Sequence, residues 1–177
     1  TWTKDTINES LTVIEEEADR LANLIDNLLE ASRLQAGGIE LNISTFNLET
    51  LAKRLSRNFQ IQTSKHDISV SFPEDFPDID GDEERLLQAL SNLLSNAIKY
   101  SPQGGPIQIS GRISQREIIV SVSDSGIGLP VGEFGRIFNR FHRSQTAETS
   151  HTQGAGLGLY LTRAVIEAHH GRIWVDS

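Results

Sequence analysis

The stretch that decides the fold is DEERLLQALSNLLSNAIKYS, residues 82–101. At about 100° per residue, its apolar side chains share one side of a helix and its polar side chains form a stripe on the other. The apolar side comprises Leu86, Leu87, Leu90, Leu94, Ala97 and Ile98. The stripe comprises Arg85, Gln88, Asn92, Ser95, Asn96 and Lys99. With Asp82 near its N-cap, the stretch predicts a helix that packs on a core through one face.

The two asparagines of this stripe, Asn92 and Asn96, lie one turn apart. Asparagine offers a carbonyl oxygen without the charge that would repel a triphosphate. Mg²⁺ keeps several waters and takes its other ligands from phosphates and a few protein oxygens. The stripe is therefore a candidate metal and phosphate site. An ordinary solvated helix face is the alternative, although such faces are usually rich in glutamate and lysine.

A second candidate is DSGIGLP, residues 124–130, which follows an alternating strand pattern. Asp124 continues an apolar row on one face of that strand, so its carboxylate requires a hydrogen-bond donor. The exocyclic amino group of adenine would supply one, and Gly126 and Gly128 would let the main chain approach a flat base. The alternative is a turn that simply ends the strand.

A third candidate is GAGLGL, residues 154–159, at the predicted start of a helix. Gly154, Gly156 and Gly158 would free main-chain amides to face phosphates at the positive end of that helix. The motif follows a polar loop late in the chain rather than the first strand of a parallel unit, which argues against a dinucleotide-binding fold. The sequence also contains no P-loop motif.

The segment between these glycine motifs carries aromatic and basic residues. Phe138 and Phe141 are predicted to anchor it, whereas Arg140 and Arg143 are predicted to reach anionic oxygen atoms. The polar run 144–153 is short of hydrophobic residues and is predicted to form a mobile lid over the nucleotide. An ordinary surface loop is the alternative.

The first part of the chain shows a heptad pattern over residues 6–38. Thr6 and Glu9 are spaced as a capping box, and Gly37 and Gly38 suit a helix terminus. The pattern predicts one long helix that pairs with another copy, giving a homodimer, or with a neighbouring helix missing from this sequence; the alternative is an amphipathic helix that packs on its own domain. The heptad positions are Leu11, Ile14, Ala18, Leu21, Ile25, Leu28 and Ser32.

The remaining stretches predict a mixture of helices and strands. We expect a turn-rich segment at 73–82 and a turn near Gln115. The predicted elements are a strand-like stretch at 39–46, a helix at 48–62, strands at 68–72, 106–114 and 116–124, a short helix at 133–138 and a final strand at 172–177.

Composition excludes several classes of protein. A formal net charge of −8 argues against a general nucleic-acid or anionic-membrane binder. The absence of cysteine excludes disulfides and thiolate metal sites, and it fits a cytoplasmic location. No apolar run approaches the roughly 18 residues of a membrane span. Because the 177-residue sequence has no methionine and opens on Thr1, we interpret it as a segment of a longer protein, for which a membrane anchor elsewhere stays open.

The motifs NLLSNAIKYSP, DSGIGLP, IFNRFHR and GAGLGL occur in one order. This order resembles the catalytic domain of sensor histidine kinases, with its N box, first glycine box, phenylalanine box and second glycine box. Residues 1–38 resemble the second helix of the family's dimerisation domain, and residues 39–177 resemble its catalytic ATP-binding domain with a truncated C-terminus. The resemblance implies an α/β (α+β) two-layer sandwich with a mixed sheet covered by helices, preceded by one long coiled-coil-type helix.

The resemblance also implies roles at the phosphate end of an ATP site. Asn96, together with Asn92, would hold Mg²⁺, and Lys99 would meet a phosphate. Arg143 and Arg140 would approach the terminal phosphate. Lys99 and these two arginines would thus be the catalytic residues.

At the base end, the resemblance implies that Tyr100 lies against the base or ribose and that Asp124 accepts the adenine amino group. The first glycine box would shape the base pocket, and the second would wrap the phosphates. These main-chain contributors are Gly126, Ile127, Gly128, Gly154, Gly156, Leu157 and Gly158.

The implied activity is transfer of the ATP γ-phosphate to a histidine on a first dimerisation helix, for relay to a response regulator, with a sensor domain elsewhere in the protein. None of the five histidines matches the phosphoacceptor motif, and the pair His169 and His170 is expected to cap a helix. Related ATPases carry a water-activating glutamate where this sequence has Asn92, so hydrolysis should be slow. The alternatives are a non-catalytic ATP-gated interaction module and a serine kinase of the anti-sigma-factor type.

Overall fold

The computed structural model describes residues 3–37, 39–115, 117–143 and 155–177. The chain divides into two compact units, Thr1–Gly38 and Ile39–Ser177. Within the described ranges, no helix combines the length and the apolarity needed to cross a membrane.

The first unit contains a single helix, α1 (Lys4–Gly37). The Thr3 hydroxyl accepts the amide hydrogen of Thr6 at 3.3 Å, which is the bond that an N-cap residue makes. The predicted capping box with Thr6 at the cap and Glu9 as its partner is therefore wrong. The helix starts earlier than predicted, so that Thr6 already lies within its first turn. The predicted end at the glycines agrees with the observed last residue, Gly37.

The second unit contains five strands and three α-helices in the residues described. Strands β2, β4 and β5 form one sheet in that order, with β2 and β4 parallel and β4 and β5 antiparallel. Strands β1 and β3 form a separate antiparallel pair. The elements are β1 (Ser44–Phe46), α2 (Leu48–Gln62), β2 (His66–Ser71), β3 (Ile79–Gly81), α3 (Glu83–Lys99), β4 (Gly105–Ser114), β5 (Glu117–Ser123), a 3₁₀ helix (Val131–Glu133) and α4 (Gly158–Ala168).

The core lies between the helices α2 and α3 and one face of the three-stranded sheet. Leucines and alanines of both helices interdigitate with the inward residues of β4, and Val120 and Val122 of β5 pack against them. This layer confirms the predicted two-layer sandwich with a mixed sheet. The buried members are Ala52, Leu55, Leu90, Leu94, Ala97, Ile107 and Ile109.

Two predictions for the second unit differ from the structure. β3 falls inside the segment predicted as turns, because a strand of three residues is too short to show an alternating pattern. The predicted helix at 133–138 is wrong: a 3₁₀ helix covers Val131–Glu133 and turns follow it. Gly132 and Gly135 favour this outcome, because glycine is a poor helix former.

The predicted final strand at 172–177 is also wrong, because this segment joins no strand ladder in the described part of the chain. Side-chain contacts hold it instead. Arg172 donates to Glu117 at 2.7 Å, and the amide of Leu129 donates to the Ser177 hydroxyl at 2.8 Å. The segment thus lies near β5 and the first glycine box, where it contributes to the wall of a cleft.

The outer edge of β2 is covered by one side chain. The Gln60 amide nitrogen donates to the carbonyl oxygens of His66 at 2.9 Å and Thr63 at 3.1 Å, and the Ile68 amide donates to Gln60 Oε1 at 2.9 Å. The last turn of α2 is thereby bound to the start of β2.

Candidate functional site

Helix α3 begins at Asp82, the predicted N-cap. Its carboxylate accepts the amide hydrogens of Arg85 at 3.0 Å and Asn42 at 2.8 Å, and its own amide donates to His169 Nε2 at 2.9 Å. Burial acts to raise the pKa of Asp82, but the two amides and the charge of Arg85 outweigh it and lower that pKa. Since His169 Nδ1 also bonds Val165 O at 2.8 Å, this histidine caps α4, as predicted, and ties it to α3.

Apart from Ser95, which is exposed, the polar stripe of α3 is half-buried, and α4 packs beside α3. Asn92 lies against the first residue of α4, with its amide nitrogen 3.5 Å from the Gly158 carbonyl oxygen. Asn96, one turn further, lines a cleft. The stripe therefore differs from an ordinary solvated helix face.

Basic groups gather at the C-terminal end of α3. Burial lowers the pKa of Lys99, and the nearby charge of Arg143 lowers it further. Burial raises the pKa of Tyr100, and Arg143 opposes that rise. The Lys99 ammonium lies 5.1 Å from the centroid of the Tyr100 ring. Arg143 lies close enough to Lys99 to disfavour the charge of that lysine, and a pair of cations of this kind suits a polyanionic ligand.

The first glycine box folds back on the end of α3. Asp124 Oδ1 accepts the amide hydrogen of Gly126 at 2.8 Å and the Ser101 hydroxyl at 3.3 Å. The Ile127 amide donates to the Tyr100 carbonyl oxygen at 3.0 Å. A Cβ at Gly126 would lie 2.4 Å from that same carbonyl oxygen, so this position requires glycine for steric reasons.

A cleft of about 740 Å³ opens between α3, β5, the first glycine box and residues 172–177. This volume lies in the range of small-molecule sites. It brings together residues from all four motifs, the second glycine box contributing Leu159. The predicted site residues that line it are Asn96, Tyr100, Asp124, Gly126, Ile127, Gly128 and Arg143.

The second glycine box closes against the phenylalanine box. Gly156 has φ of +68°, and a Cβ there would lie 2.6 Å from the His142 carbonyl oxygen. The Phe141 amide donates to Gly156 O at 2.9 Å. Leu157 is 2% exposed, so its side chain and its main chain are both almost fully covered in the described structure. Gly158 opens α4 outside the cleft lining. Gly154 and the predicted lid at 144–153 lie outside the described residues.

The phenylalanine box is anchored by one aromatic residue. Phe138 is buried as predicted, but Phe141 is 56% exposed and the prediction that it anchors the segment is wrong. Its φ of +60°, in the left-handed region, accompanies the outward position of the ring. The Arg140 guanidinium lies 4.7 Å from the Phe141 ring centroid, and Arg140 Nε is buried without a hydrogen-bond partner in the described structure. Arg140 does not line the cleft, whereas Arg143 does.

Two residues at the site escaped sequence reasoning, Ser101 behind the cleft and His142 in its lining. Ser101 is buried and bonds Asp124, although its only signal is its place directly after Tyr100. His142 lines the cleft, and its Nε2 lies 3.3 Å from a carboxylate oxygen of Glu133. No local pattern marks that contact, because it joins two irregular segments.

The donor set in the cleft is compatible with Mg²⁺. In residues 3–37, 39–115, 117–143 and 155–177, no group of three or more His, Asp or Glu side chains could hold a metal alone. The amide of Asn96 lines the cleft instead. One or two amide oxygens suit a cation that keeps its waters and takes phosphate oxygens as its other ligands.

Comparisons with known proteins give the family. Residues 81–177 match the family of histidine kinase-, DNA gyrase B-, and HSP90-like ATPases. The chain is 32% identical over 180 residues to the sensor histidine kinase WalK of Bacillus subtilis, an alignment that covers 98% of this chain and 29% of WalK.

Two solved structures share the fold over the whole chain. Full-length ShkA in complex with AMPPNP has a TM-score of 0.81 and 27% identity, covering 100% of this chain and 37% of ShkA. Histidine kinase ThkA in complex with the response regulator protein TrrA has a TM-score of 0.76 and 26% identity, covering 100% and 49%. This chain thus spans less than half the length of each of these relatives. Because the family match covers more than half of the chain, the protein belongs to the histidine kinase-, DNA gyrase B-, and HSP90-like ATPases, and its second unit is an ATP-binding domain of the sensor histidine kinase type.

Proposed function

We propose that this chain binds Mg·ATP and transfers the γ-phosphoryl group to a histidine on a first dimerisation helix, from which a response regulator receives it. The observation that carries this proposal is the single cleft that gathers Asn96, Tyr100, Asp124 and Arg143. These residues come from three motifs that are far apart in the sequence. Together they offer an amide oxygen, an aromatic ring, a carboxylate and a cation to one ligand.

In this proposal, the base end of ATP lies at Asp124 and the phosphates lie toward Lys99 and Arg143. The carboxylate accepts the 6-amino group of adenine, and Tyr100 lies beside the base or ribose. Gly126, Ile127 and Gly128 shape the base pocket, and the second glycine box supplies main-chain amides to the phosphates. The role of Arg140 at the terminal phosphate stays a prediction, because its guanidinium lies on Phe141 outside the cleft.

The chemical step needs positioning and charge neutralisation more than proton transfer from the protein. An imidazole nitrogen forms a bond to the γ-phosphorus, the bond to the β–γ bridging oxygen breaks, and ADP leaves with that electron pair. Lys99 and Arg143 would stabilise the charge on the moving group. Mg²⁺, held by Asn96 with Asn92, would neutralise phosphate charge when bound. Asn92 offers no carboxylate to activate water, so transfer is favoured over hydrolysis.

The test supplies the missing histidine. A first dimerisation helix with its histidine is fused to the chain or added as a separate domain, and phosphate from labelled ATP is followed. Acid-labile, base-stable label on that helix is expected, and Asn96→Ala or Asp124→Ala should abolish most of it. Gly132→Ala is the matched control, because Gly132 is exposed and a Cβ there meets nothing within 4 Å. Bound ATP without any labelling would contradict the kinase proposal.

We also propose that α1 forms a homodimer. Five of its heptad positions, Leu11, Ile14, Leu21, Ile25 and Leu28, are between 42% and 64% exposed. An exposed apolar seam of this length is typical of a helix that pairs with another helix. Replacing Leu21 and Ile25 by glutamate should convert a dimer into a monomer in sedimentation equilibrium. A wild-type chain that is monomeric at high concentration would contradict this proposal.

The response regulator enters as a partner because ThkA, which shares the fold, was solved in complex with one. The sensor domain of the longer protein is likewise part of the proposal. A non-catalytic module and a serine kinase gain no support, because the sequence relative WalK is a sensor histidine kinase.

A further inference from the structure

We infer that Ser101, held in place by His66, is a positioning residue that orients Asp124 and thereby sets the preference of the site for a 6-amino purine. This inference rests on the proposed function, because it assumes that Asp124 faces the base of ATP. Neither Ser101 nor His66 needs to touch the nucleotide.

The Asp124 carboxylate is bonded to the protein through one of its two oxygens. One oxygen, Oδ1, accepts both protein donors, the Gly126 amide at 2.8 Å and the Ser101 hydroxyl at 3.3 Å. In the described structure, the other carboxylate oxygen makes no hydrogen bond. Terminal carboxylate torsions are broad, so a single donor would leave the plane of the group poorly fixed. Two donors on one oxygen hold that plane and leave the second oxygen available to a ligand in the cleft.

Ser101 is itself held in one position. Its residue is 2% exposed. Its carbonyl oxygen accepts the Gly104 amide at 2.8 Å and His66 Nε2 at 2.9 Å, which occupies both lone pairs. Its amide donates to the Ile98 carbonyl oxygen at 3.3 Å. The peptide that carries the hydroxyl is therefore held from both sides.

His66, which bonds the Ser101 carbonyl oxygen, is buried and 7% exposed. A carbonyl oxygen can only accept, so the bond to Ser101 places the hydrogen on Nε2. Nδ1 then accepts the Thr63 hydroxyl, 2.7 Å away. Both ring nitrogens are thus used, and a chain of bonds, buried at His66 and Ser101, runs from Thr63 at the end of α2 to Asp124. Buried members that are bonded in this way fix the geometry of the group at the end of the chain.

The test compares two ligands by titration calorimetry, with competition where binding is weak. One is ATP, and the other is purine riboside triphosphate, which lacks the 6-amino group. In Ser101→Ala, the affinity for ATP should fall about three- to tenfold, because Asp124 loses only the longer of its two bonds and keeps the Gly126 donor. The affinity for the purine analogue should stay within about twofold, because that ligand gives Asp124 no amino group.

Matched variants separate positioning from folding. Ser71→Ala removes an exposed serine of β2 outside the cleft and should leave both affinities unchanged. Asp124→Ala should bind the two ligands with nearly equal affinity, and this variant defines the largest loss of ATP preference to be expected. His66→Gln keeps a donor for the Ser101 carbonyl and should retain the preference for ATP, whereas His66→Phe should reduce it.

The outcomes are distinct. A wild-type chain that binds neither ligand would contradict the proposed function itself. A wild-type preference for ATP that depends on Asp124 but survives in a folded Ser101→Ala variant would overturn the positioning role. An equal loss of affinity for both ligands in Ser101→Ala would also overturn it, because a general distortion of the cleft would then be responsible.

Discussion

Replacing Gly126 by alanine should damage both the stability of the second unit and its nucleotide site. The new Cβ would lie 2.4 Å from the Tyr100 carbonyl oxygen and 2.6 Å from Asp124 Oδ1, distances that real Cβ atoms do not adopt. The glycine box must therefore move away from the end of α3. That movement breaks the bond from Ile127 to Tyr100 and the bond from residue 126 to Asp124.

The size of the effect follows from these two bonds. A neutral bond contributes about 1 kcal/mol and a bond to a charged acceptor about 1.5–3 kcal/mol, and water recovers part of this at an exposed turn. We expect the free energy of unfolding to fall by about 1–3 kcal/mol and the thermal midpoint by roughly 3–12 °C. ATP affinity should fall at least about tenfold, because the movement displaces Asp124.

Thermal unfolding by circular dichroism and ATP titration by calorimetry measure the two effects in one preparation. Gly132→Ala is the control, since it lies a few residues further along the chain and its Cβ would meet nothing within 4 Å. It should match the wild-type chain in both assays. A Gly126→Ala variant with wild-type midpoint and affinity would refute the steric argument, as would equal damage from Gly132→Ala.

Lys99→Met should leave the thermal midpoint of the nucleotide-free domain unchanged or higher, because burial and Arg143 already disfavour the charge of Lys99. The ATP affinity measured by calorimetry should fall at least about tenfold. A lower midpoint together with unchanged affinity would contradict a phosphate role. Gly158→Ala should keep or slightly raise the thermal midpoint, because the new Cβ lies in a helix and would meet Asn92 at an ordinary 3.6 Å. Weakened ATP binding by this variant would therefore indicate that a phosphate approaches Gly158 closely. Unchanged binding would remove Gly158 from the site. The wild-type chain should have a higher free energy of unfolding than Asp82→Asn, as measured by urea unfolding at several pH values. This difference should be full above the ordinary Asp82 pKa of 3.8 and should be lost as the pH falls through the lowered pKa of the folded state. A difference that instead shrinks toward neutral pH would show the opposite sign of linkage.

Local patterns predicted the long helices of the second unit well. Helix α2 covers Leu48–Gln62, the range expected from the sequence, because an amphipathic stretch follows Asn47, whose side chain accepts the Thr50 amide at 2.9 Å. The pattern of α3 likewise placed Leu90 and Leu94 in the core and Asn96 at the cleft. Each of these predictions depends on residues within one or two turns of one another.

Features that depend on distant contacts could not be predicted in this way. The bonds that join His66, Ser101 and Asp124 span 35 and 23 positions, and no period in the sequence encodes them. The exposed ring of Phe141 accompanies a left-handed backbone conformation that phenylalanine rarely adopts. The segment 172–177 has the β-branched and aromatic run typical of a strand, yet it joins no ladder in the described structure and is bonded instead to Glu117 and Leu129.

The Gln60 side chain has a consequence for how copies of this domain behave in concentrated solution. An uncovered strand edge is a template on which another chain can add a strand, and this is a common route to aggregation. Gln60 already occupies the outward carbonyl of His66 and the outward amide of Ile68, so an incoming strand must displace it before pairing can begin there. Shortening α2 or replacing this glutamine would therefore expose β2 to intermolecular pairing, even in a variant whose nucleotide site is intact.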